Sequence, residues 1–265
     1  MKPSGLTLLA ASAALAFDAS ATNVTFLHFN DFHAHLTPHA DLVEHAGHKA
    51  VADKGGLARV ATLVKRIRAS DPSAQLLNVG DTFHGGVEAM YTNGNAIVAP
   101  INALGIDVGV PGNWDFAYGP YVTRLRFGSF TPMERMSMQA AAGGAILRPD
   151  YPNLAANLAY TTPAFKAGQP VMPATLMKTV NGVKVGYLGI TSDIVADMND
   201  KLAQGFDFVT GEANLRALIE RHAGDLRGQG AQVVVVLSEL GLHKDYRLAD
   251  LVAPGLVDVF FSGHT

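Results

Sequence analysis

The chain has 265 residues, of which 48% are hydrophobic, so it can bury a sizeable core in one large domain or two small ones. Its 20 lysines and arginines against 23 aspartates and glutamates give a net charge of −3, which argues against a nucleic-acid polymer or a membrane as partner. It contains 0 cysteines, which excludes disulfides and thiolate metal sites, so any metal must be held by His, Asp, Glu or Asn.

The first 21 residues have the three-part layout of an export signal. Lys2 precedes the apolar stretch GLTLLAASAALAF, and small residues follow at positions 19–21. We expect cleavage to leave residues 22–265 as the mature chain, in the periplasm or outside the cell. A retained membrane anchor is the alternative, but the apolar stretch is shorter than a bilayer-spanning helix requires.

Short apolar runs alternate with amphipathic stretches along the rest of the chain. The runs are rich in β-branched residues and end in polar ones, which predicts buried strands. They cover residues 24–29, 76–79, 106–110, 233–237 and 257–261. Apolar residues at helical spacing predict helices over residues 55–70 and 211–227, the second capped by Thr210. This alternation indicates an α/β fold.

Two further segments complete the predicted fold. The strand-like sequences on either side of Asn181 and Gly182 predict a hairpin, because this pair accepts the positive φ angles of a tight turn. We therefore expect a mixed sheet. Residues 127–151 lack periodicity and contain a low-complexity AAAGGA run, so we interpret them as an insertion or a mobile loop.

Polar side chains follow the predicted strands where each one ends. In open α/β sheets, ligands bind outside the carboxyl ends of the strands, so these residues are candidates for one shared site. They are Asn30, Asp31 and His33 after the first strand, Asp81 after the second, Asn113, Trp114 and Asp115 after the third, Glu239 after the fourth, and His264 after the last. Converging carboxylates, an amide and imidazoles favour a pair of divalent metal ions, which neutralise the charge and use the lone pairs. A shared aspartate can bridge two such ions for the in-line hydrolysis of an ester.

The order of these motifs resembles the metallophosphoesterase domain of the 5'-nucleotidase family. The similar segments are FLHFNDFHAHL, GGLARVATLVKRIR, LLNVGDTFHG, NALGIDVGVPGNWDF and FFSGHT, which extend over nearly all of residues 24–265. The resemblance implies a four-layer αββα sandwich with mixed sheets that holds two metal ions. It implies that Asp31 and His33 bind the first ion and that Asp81 bridges the two. Asn113 and His264 would bind the second ion.

At Trp114 the sequence departs from the family's pattern. The phosphatases usually have GNH followed by an acid, and that histidine stabilises the transferring phosphoryl group, whereas an indole offers one neutral N–H donor. The GNW sequence is similar to that of the related sulfur-oxidation thiosulfohydrolases, which release sulfate from a protein-bound cysteine persulfide arm. We interpret Trp114 and Asp115 as catalytic positions, with Asp115 orienting a substrate contact. Packing beside the site is the alternative for Trp114, and nearby His84 is a candidate substrate contact.

Two further departures concern the metal ligands. Glu239 stands in LSELGLHKD where the family commonly has histidine, and a carboxylate ligand shifts the preference toward harder ions such as manganese or magnesium. Capping a helix or pairing with Lys244 is the alternative role for Glu239. The chain ends at SGHT where relatives continue with a second histidine. We therefore expect a truncated metallophosphoesterase domain, no substrate-specificity domain, and weak binding of the first metal.

Five histidines crowd residues 33–48. Such a cluster can indicate a separate zinc site. Because polar loop residues are often simply exposed, we interpret only His33 as a ligand and the others as lining a solvated loop.

These observations lead to one expected function and two alternatives. We expect an exported dimetal-dependent hydrolase in which a metal-bound hydroxide attacks a nucleotide or a related small-molecule phosphoester. Manganese is the expected metal, with zinc or magnesium as alternatives. The first alternative function is a thiosulfohydrolase that acts on a sulfur-carrier protein. The second is a non-catalytic metal-binding fragment or pseudoenzyme.

Overall fold

The computed structural model describes residues 22–162 and 166–264, and the predicted signal peptide lies outside the described residues. The strands are β1 (Phe26–Asn30), β2 (His39–His45), β3 (His48–Lys54), β4 (Gln75–Val79), β5 (Val108–Val110), β6 (Leu158–Tyr160), β7 (Thr175–Val180), β8 (Val183–Ile190), β9 (Phe206–Phe208), β10 (Val233–Ser238) and β11 (Val259–Ser262). The helices are α1 (Leu57–Ser70), α2 (Val87–Tyr91), α3 (Asn95–Asn102), α4 (Pro120–Phe127), α5 (Pro132–Ala141), α6 (Val195–Met198), α7 (Glu212–Gly228) and α8 (Leu242–Leu251), with a 3-10 turn at Trp114–Phe116. Within the described ranges, no helix has the length and apolar character needed to cross a bilayer.

Two main sheets carry most of the predicted strands. The first has the order β1-β4-β5 and is parallel, and the second has the order β11-β10-β8-β7. In the second sheet β10 is parallel to β11 and β8, whereas β7 is antiparallel to β8. The turn between β7 and β8 lies at Asn181 and Gly182, with φ angles of 49° and 79°. The predicted hairpin and the mixed sheet are confirmed.

The two main sheets pack face to face, and helices cover the outer face of each. In β10, Val235 and Leu237 pack in one cluster with Leu77 of the first sheet. Val234 and Val236 pack in another cluster with buried residues of α7 and α8. Successive strand residues point to opposite faces, so one strand contributes to both layers. A third cluster joins β4 to α1 and α3. The resulting order of layers, helix, sheet, sheet and helix, confirms the predicted αββα sandwich.

Residues 127–151 are not the unstructured insertion that their composition predicts, because they contain α5. Thr131 and Glu134 form a capping box at the start of this helix, each side chain accepting a hydrogen bond from the other residue's backbone N–H. A capping box followed by proline is a strong helix-start signal, and it outweighs the low-complexity run downstream. The predicted cap at Thr210 is also wrong, since α7 begins after Gly211 without a side-chain cap.

The histidine-rich segment is also more regular than predicted. Instead of a solvated loop, the β2 and β3 strands form an antiparallel hairpin that turns at Ala46 and Gly47, with φ angles of 51° and 78°. Only Val43 and Ala52 of this hairpin are half-buried, and the other strand residues are exposed. The hairpin therefore lies outside the packed layers.

Candidate metal centre

Three of the predicted ligands meet at the carboxyl ends of β1 and β4. His33 Nε2 lies 3.9 Å from Asp31 Oδ1 and 3.7 Å from Asp81 Oδ2. One ligand atom from each of the three residues lies within 4.8 Å of the others, which suits a single metal ion. Because β1 and β4 are parallel neighbours, their ends bring these side chains to the same edge of the sheet.

A second group shares Asp81 and takes its other ligands from the second sheet. Glu239 follows β10 and His264 follows β11, and His264 Nδ1 lies 3.7 Å from Glu239 Oε1. One ligand atom each of Asp81, Glu239 and His264 lies within 4.8 Å of the others. Asp81 therefore stands where a residue that bridges two ions is expected.

Asn113 adds a buried oxygen next to the shared aspartate. Its side chain is 3% exposed and donates through Nδ2 to Met198 Sδ at 3.2 Å, but no described residue donates to its Oδ1. The neighbouring Trp114 N–H donates to Asp81 Oδ1 at 2.8 Å. Buried acceptors are normally paired, and a cation would satisfy this one.

Glu239 is the strongest indication that the site is built for a cation. The residue is 0% exposed, and no described residue donates a hydrogen bond to either carboxylate oxygen. Gly80 and Gly263 flank it so closely that a Cβ at either position would collide with the carboxylate. Burial, followed by the charges of Asp81 and Asp31, raises the pKa of Glu239 to about 11. A divalent ion would balance that charge and use both oxygens.

The electrostatics at Asp81 lead to the same conclusion. Burial, followed by the charge of Asp115, raises the pKa of Asp81 to about 8, against the opposing Trp114 N–H. Two carboxyl groups with raised pKa values, an unpaired amide oxygen and two imidazoles form a donor set of oxygen and nitrogen atoms without sulfur. Such a set fits manganese, magnesium or zinc, and the residues present therefore fit the metal pair.

Four of the predicted ligands have strained backbone conformations. Asp31, His33, Asp81 and His264 have φ angles of 48°, 46°, 47° and 65°. Residues other than glycine rarely adopt this left-handed backbone conformation, and those that do concentrate at functional sites. Gly112 lies against the same centre, where a Cβ would collide with Asp81 Oδ1.

Asp115 is engaged by backbone donors. It is 1% exposed, and its Oδ1 accepts hydrogen bonds from the Thr82 and Phe83 N–H groups at 3.0 and 2.8 Å. Its Oδ2 accepts one from the Gly112 N–H at 2.9 Å. Burial raises the pKa of Asp115, and these donors oppose that shift. Asp115 thus connects the loop after β4, which carries Asp81, to the loop after β5, which carries Asn113.

Trp114 stands at the mouth of the site, on the loop that Asp115 fixes. Its side chain is 41% exposed and stacks on His84, with ring centroids 5.0 Å apart and planes inclined by 21°. The glycines that frame Glu239 are not among the residues predicted from the sequence, and neither is Tyr118, whose ring contacts that of His84. The glycines carry a visible signal, since each precedes a ligand in the GD and GH pairs, whereas nothing in the sequence connects Tyr118 to the site.

The chain is similar in sequence to known phosphoesterases and nucleotidases. Residues 24–265 match a family model described as calcineurin-like phosphoesterase. A snake venom 5'-nucleotidase from Gloydius brevicauda is 27% identical over 255 residues, which cover 96% of this chain and 38% of that protein. An NAD 5'-nucleotidase from Haemophilus influenzae is 25% identical over 264 residues, which cover 98% of this chain and 39% of that protein. The chain thus spans less than half the length of these curated relatives.

Solved structures show the same fold. The NAD nucleotidase of Haemophilus influenzae superposes with a TM-score of 0.70 at 21% identity, over 91% of this chain and 38% of that one. A Thermus thermophilus sulfate thiohydrolase in complex with glycerol superposes with a TM-score of 0.66 at 20% identity, over 91% of this chain and 48% of that one. At these identities the likeness shows the fold alone, and it confirms the predicted fold class.

Proposed function

Since this chain belongs to the calcineurin-like phosphoesterase family, we propose that it hydrolyses a small-molecule phosphoester, a nucleotide or a related compound, with two divalent metal ions. The buried, unpaired carboxylate of Glu239 beside the shared Asp81 is the observation that carries this proposal. The 5'-nucleotidases among its relatives support the substrate class.

We assign the ligands by their grouping in the structure. Asp31, His33 and Asp81 would hold the first ion. The second ion would be held by Asp81, Asn113, Glu239 and His264. The second set contains two carboxylates and an amide oxygen, which favours manganese, with magnesium or zinc as alternatives.

The residues of this chain hold and shape the reaction site. When bound, the metal pair activates water and neutralises charge on the oxygens of the ester. Asp81 is kept in place by the Trp114 N–H, and Asp115 fixes the loops on both sides of that contact. Hydrolysis breaks the P–O bond to the leaving group, adds the oxygen of water to phosphorus, and returns a proton to the alcohol that leaves. The Trp114 indole has no basic nitrogen and therefore does not carry that proton.

The direct test combines metal binding with hydrolysis. After chelator treatment, the protein is titrated with manganese, magnesium and zinc by calorimetry, and hydrolysis is followed as phosphate release from AMP and as 4-nitrophenol release from bis(4-nitrophenyl) phosphate. We expect metal-dependent hydrolysis that Asp81→Asn abolishes. The exposed hairpin variant Asp41→Asn is the matched control and retains both metal binding and hydrolysis. A protein that binds no metal, or that hydrolyses neither ester with any of the three metals, would contradict the proposal.

A thiosulfohydrolase is the second candidate, and Trp114 is the observation that favours it. A sulfur leaving group needs less protonation than an alkoxide, so an indole in this position is less of a handicap. The partner in this case would be a sulfur-carrier protein with a thiosulfonated cysteine. Sulfate release from a thiosulfonated peptide, without hydrolysis of either phosphate ester, would select this function over the first. Release of neither product would favour a non-catalytic metal-binding protein.

We also propose that the protein is exported to the periplasm or the medium. The signal-like layout of the first 21 residues supports this, as do the venom relatives. Amino-terminal sequencing of the mature protein tests it, and we expect the chain to begin at Thr22. A mature protein that still begins with Met1 would contradict cleavage.

A further inference from the structure

His84 is the imidazole beside the metal centre that belongs to neither ligand group. Its ring stacks on Trp114 at 5.0 Å and lies against Tyr118 at 5.2 Å, with planes inclined by 21° and 51°. The Tyr118 hydroxyl donates to the Phe83 carbonyl at 3.1 Å, which fixes that ring in turn. The half-buried imidazole of His84 therefore packs against two aromatic rings.

Two backbone contacts place this stack next to the metal ligands. The Gly86 N–H donates to the His33 carbonyl at 3.0 Å, and a Cβ at Gly85 would collide with the same carbonyl. On the other side, the Trp114 N–H donates to Asp81 Oδ1 at 2.8 Å. The two glycines that follow His84 therefore contact His33, a ligand of the first ion. Trp114, on which His84 stacks, contacts the bridging Asp81.

Among the described residues, none forms a hydrogen bond with the ring nitrogens of His84. The stack therefore fixes the plane of the imidazole and leaves its polar edge available. In either protonation state the ring carries at least one N–H donor.

We propose that His84 is a catalytic residue that donates a hydrogen bond to the tetrahedral oxyanion bound at the metal centre, and that Trp114 is the positioning residue that holds it. The oxyanion is the phosphoryl group of the ester in the first function and the sulfonyl group in the second. This inference rests on the proposed function and adds an imidazole donor, which the indole at position 114 does not supply. It also gives Trp114 a purpose, because an aromatic ring at that position orients the imidazole.

The test measures anion binding independently of turnover. Manganese-loaded wild-type protein and His84→Ala are titrated by calorimetry with inorganic phosphate and, separately, with sulfate. We expect His84→Ala to bind the preferred anion about tenfold to a hundredfold more weakly, by the usual effect of one hydrogen bond to a charged group. Manganese affinity should not change. His45→Ala, in the exposed hairpin, is the matched histidine control and should bind both anions as the wild type does.

Fluorescence gives a second readout, because Trp114 is the only tryptophan of the chain. We expect the bound anion to change the Trp114 emission in the wild type and to leave it unchanged in His84→Ala. His84→Gln, which keeps a donor of similar reach, should recover part of the anion affinity and guards against a folding defect.

The positioning role is tested by a double-mutant cycle. Trp114→Ala should lose as much anion affinity as His84→Ala, the double variant should lose no more, and Trp114→Phe should recover most of it. If wild type hydrolyses substrate but His84→Ala binds both anions as tightly, the His84 contact is wrong and the proposed function stands. If metal-loaded wild type binds neither anion and hydrolyses nothing, both are wrong.

Discussion

Glu239 should destabilise the metal-free fold and strengthen metal binding. In the metal-free protein this side chain must take up a proton or remain charged in a buried position, because burial raises its pKa to about 11 from 4.5. We expect Glu239→Gln to remove that requirement. The free energy of unfolding of the chelated protein should rise by about 1 kcal/mol or more, which raises its melting temperature by a few degrees. The same change should lower manganese affinity at least about tenfold, since even partners of metal ligands contribute that much.

Differential scanning fluorimetry with and without manganese measures both effects. Glu44→Gln in the exposed hairpin is the matched control and should change neither. A Glu239→Gln variant that binds manganese as tightly as the wild type would show that Glu239 is not a ligand.

Asp115 should stabilise the fold by holding two loops together through hydrogen bonds to their backbone N–H groups. Asp115→Ala leaves the N–H groups of Thr82, Phe83 and Gly112 without their acceptor, and each buried, unsatisfied group costs about 1–3 kcal/mol. We therefore expect the free energy of unfolding, measured in urea, to fall by about 3 kcal/mol or more. Asp115→Asn keeps one acceptor oxygen and should lose less. Equal stability of wild type and Asp115→Ala would contradict the loop-fixing role.

At this scale the sequence predicts which residues converge but not how they are held. Asp31, Asp81 and Glu239 are predictable because each follows an apolar run, and parallel strands bring their ends to one edge. The contacts of Asp115 are not predictable, since they depend on how two loops from different strands pack. The stack of Trp114 on His84 has the same origin, because it joins residues 30 positions apart through the layout of the sheet.

Some strands and helices are predictable from the sequence and others are not. Buried strands such as β10 are predictable because they are almost entirely apolar and mostly β-branched. The β2 and β3 strands escape prediction because they bury almost nothing, so no hydrophobic alternation marks them. In α5 the helix start is encoded locally by Thr131 and Glu134, and only the adjacent low-complexity run conceals it.

The hairpin should be dispensable for both folding and metal binding. Its strand residues are mostly exposed, and an isolated two-stranded hairpin adds little stability of its own. We expect replacement of residues 41–52 by a short Gly-Ser turn to keep the melting temperature within a few degrees of wild type. Manganese affinity should be unchanged, because neither ligand group draws on this segment.

Calorimetry and thermal unfolding test this prediction, and the replacement keeps the Arg59 Nη1 hydrogen bond to the Asp53 carbonyl, 2.7 Å long. A large loss of manganese affinity would show instead that the hairpin histidines take part in the site.

For the whole molecule, stability should depend on pH in opposite ways with and without metal. In the folded, metal-free protein the pKa of Asp81 is about 8 and that of Glu239 is about 11, above the ordinary values of 3.8 and 4.5. The folded state therefore holds these protons to higher pH than the unfolded state does. Stability falls as pH rises above about 4, up to about 8 through Asp81 and up to about 11 through Glu239. Metal binding requires the deprotonated ligands, so manganese should stabilise more as pH rises.

Melting temperatures in chelator and in manganese, from about pH 5 to about pH 8, check this dependence. Glu239→Gln should reduce the fall in chelator, whereas the control Glu44→Gln should reproduce the wild-type curve. A metal-free protein that becomes more stable over this range would contradict the raised pKa values.

The metal pair should also connect the two sheets. Asp31, His33, Asp81 and Asn113 follow strands of the first sheet, whereas Glu239 and His264 follow strands of the second. The His264 N–H donates to Asp31 Oδ2 at 3.0 Å across this junction. Ligands on both sides make metal binding a property of the assembled sandwich, because neither sheet alone holds the second set.

Hydrogen exchange measures this connection. At a manganese concentration about 100 times its dissociation constant, the linkage is worth about 2.7 kcal/mol, so amides that exchange only by opening the site should slow by about 100-fold. We expect that protection at the ends of β1 and β4 and also at the ends of β10 and β11, with the hairpin amides of β2 and β3 unchanged. In Glu239→Gln the protection should shrink at β10 and β11 and persist at β1 and β4, where the first ligand group remains. Protection confined to one sheet in the wild type would show that the ions do not bridge the sandwich.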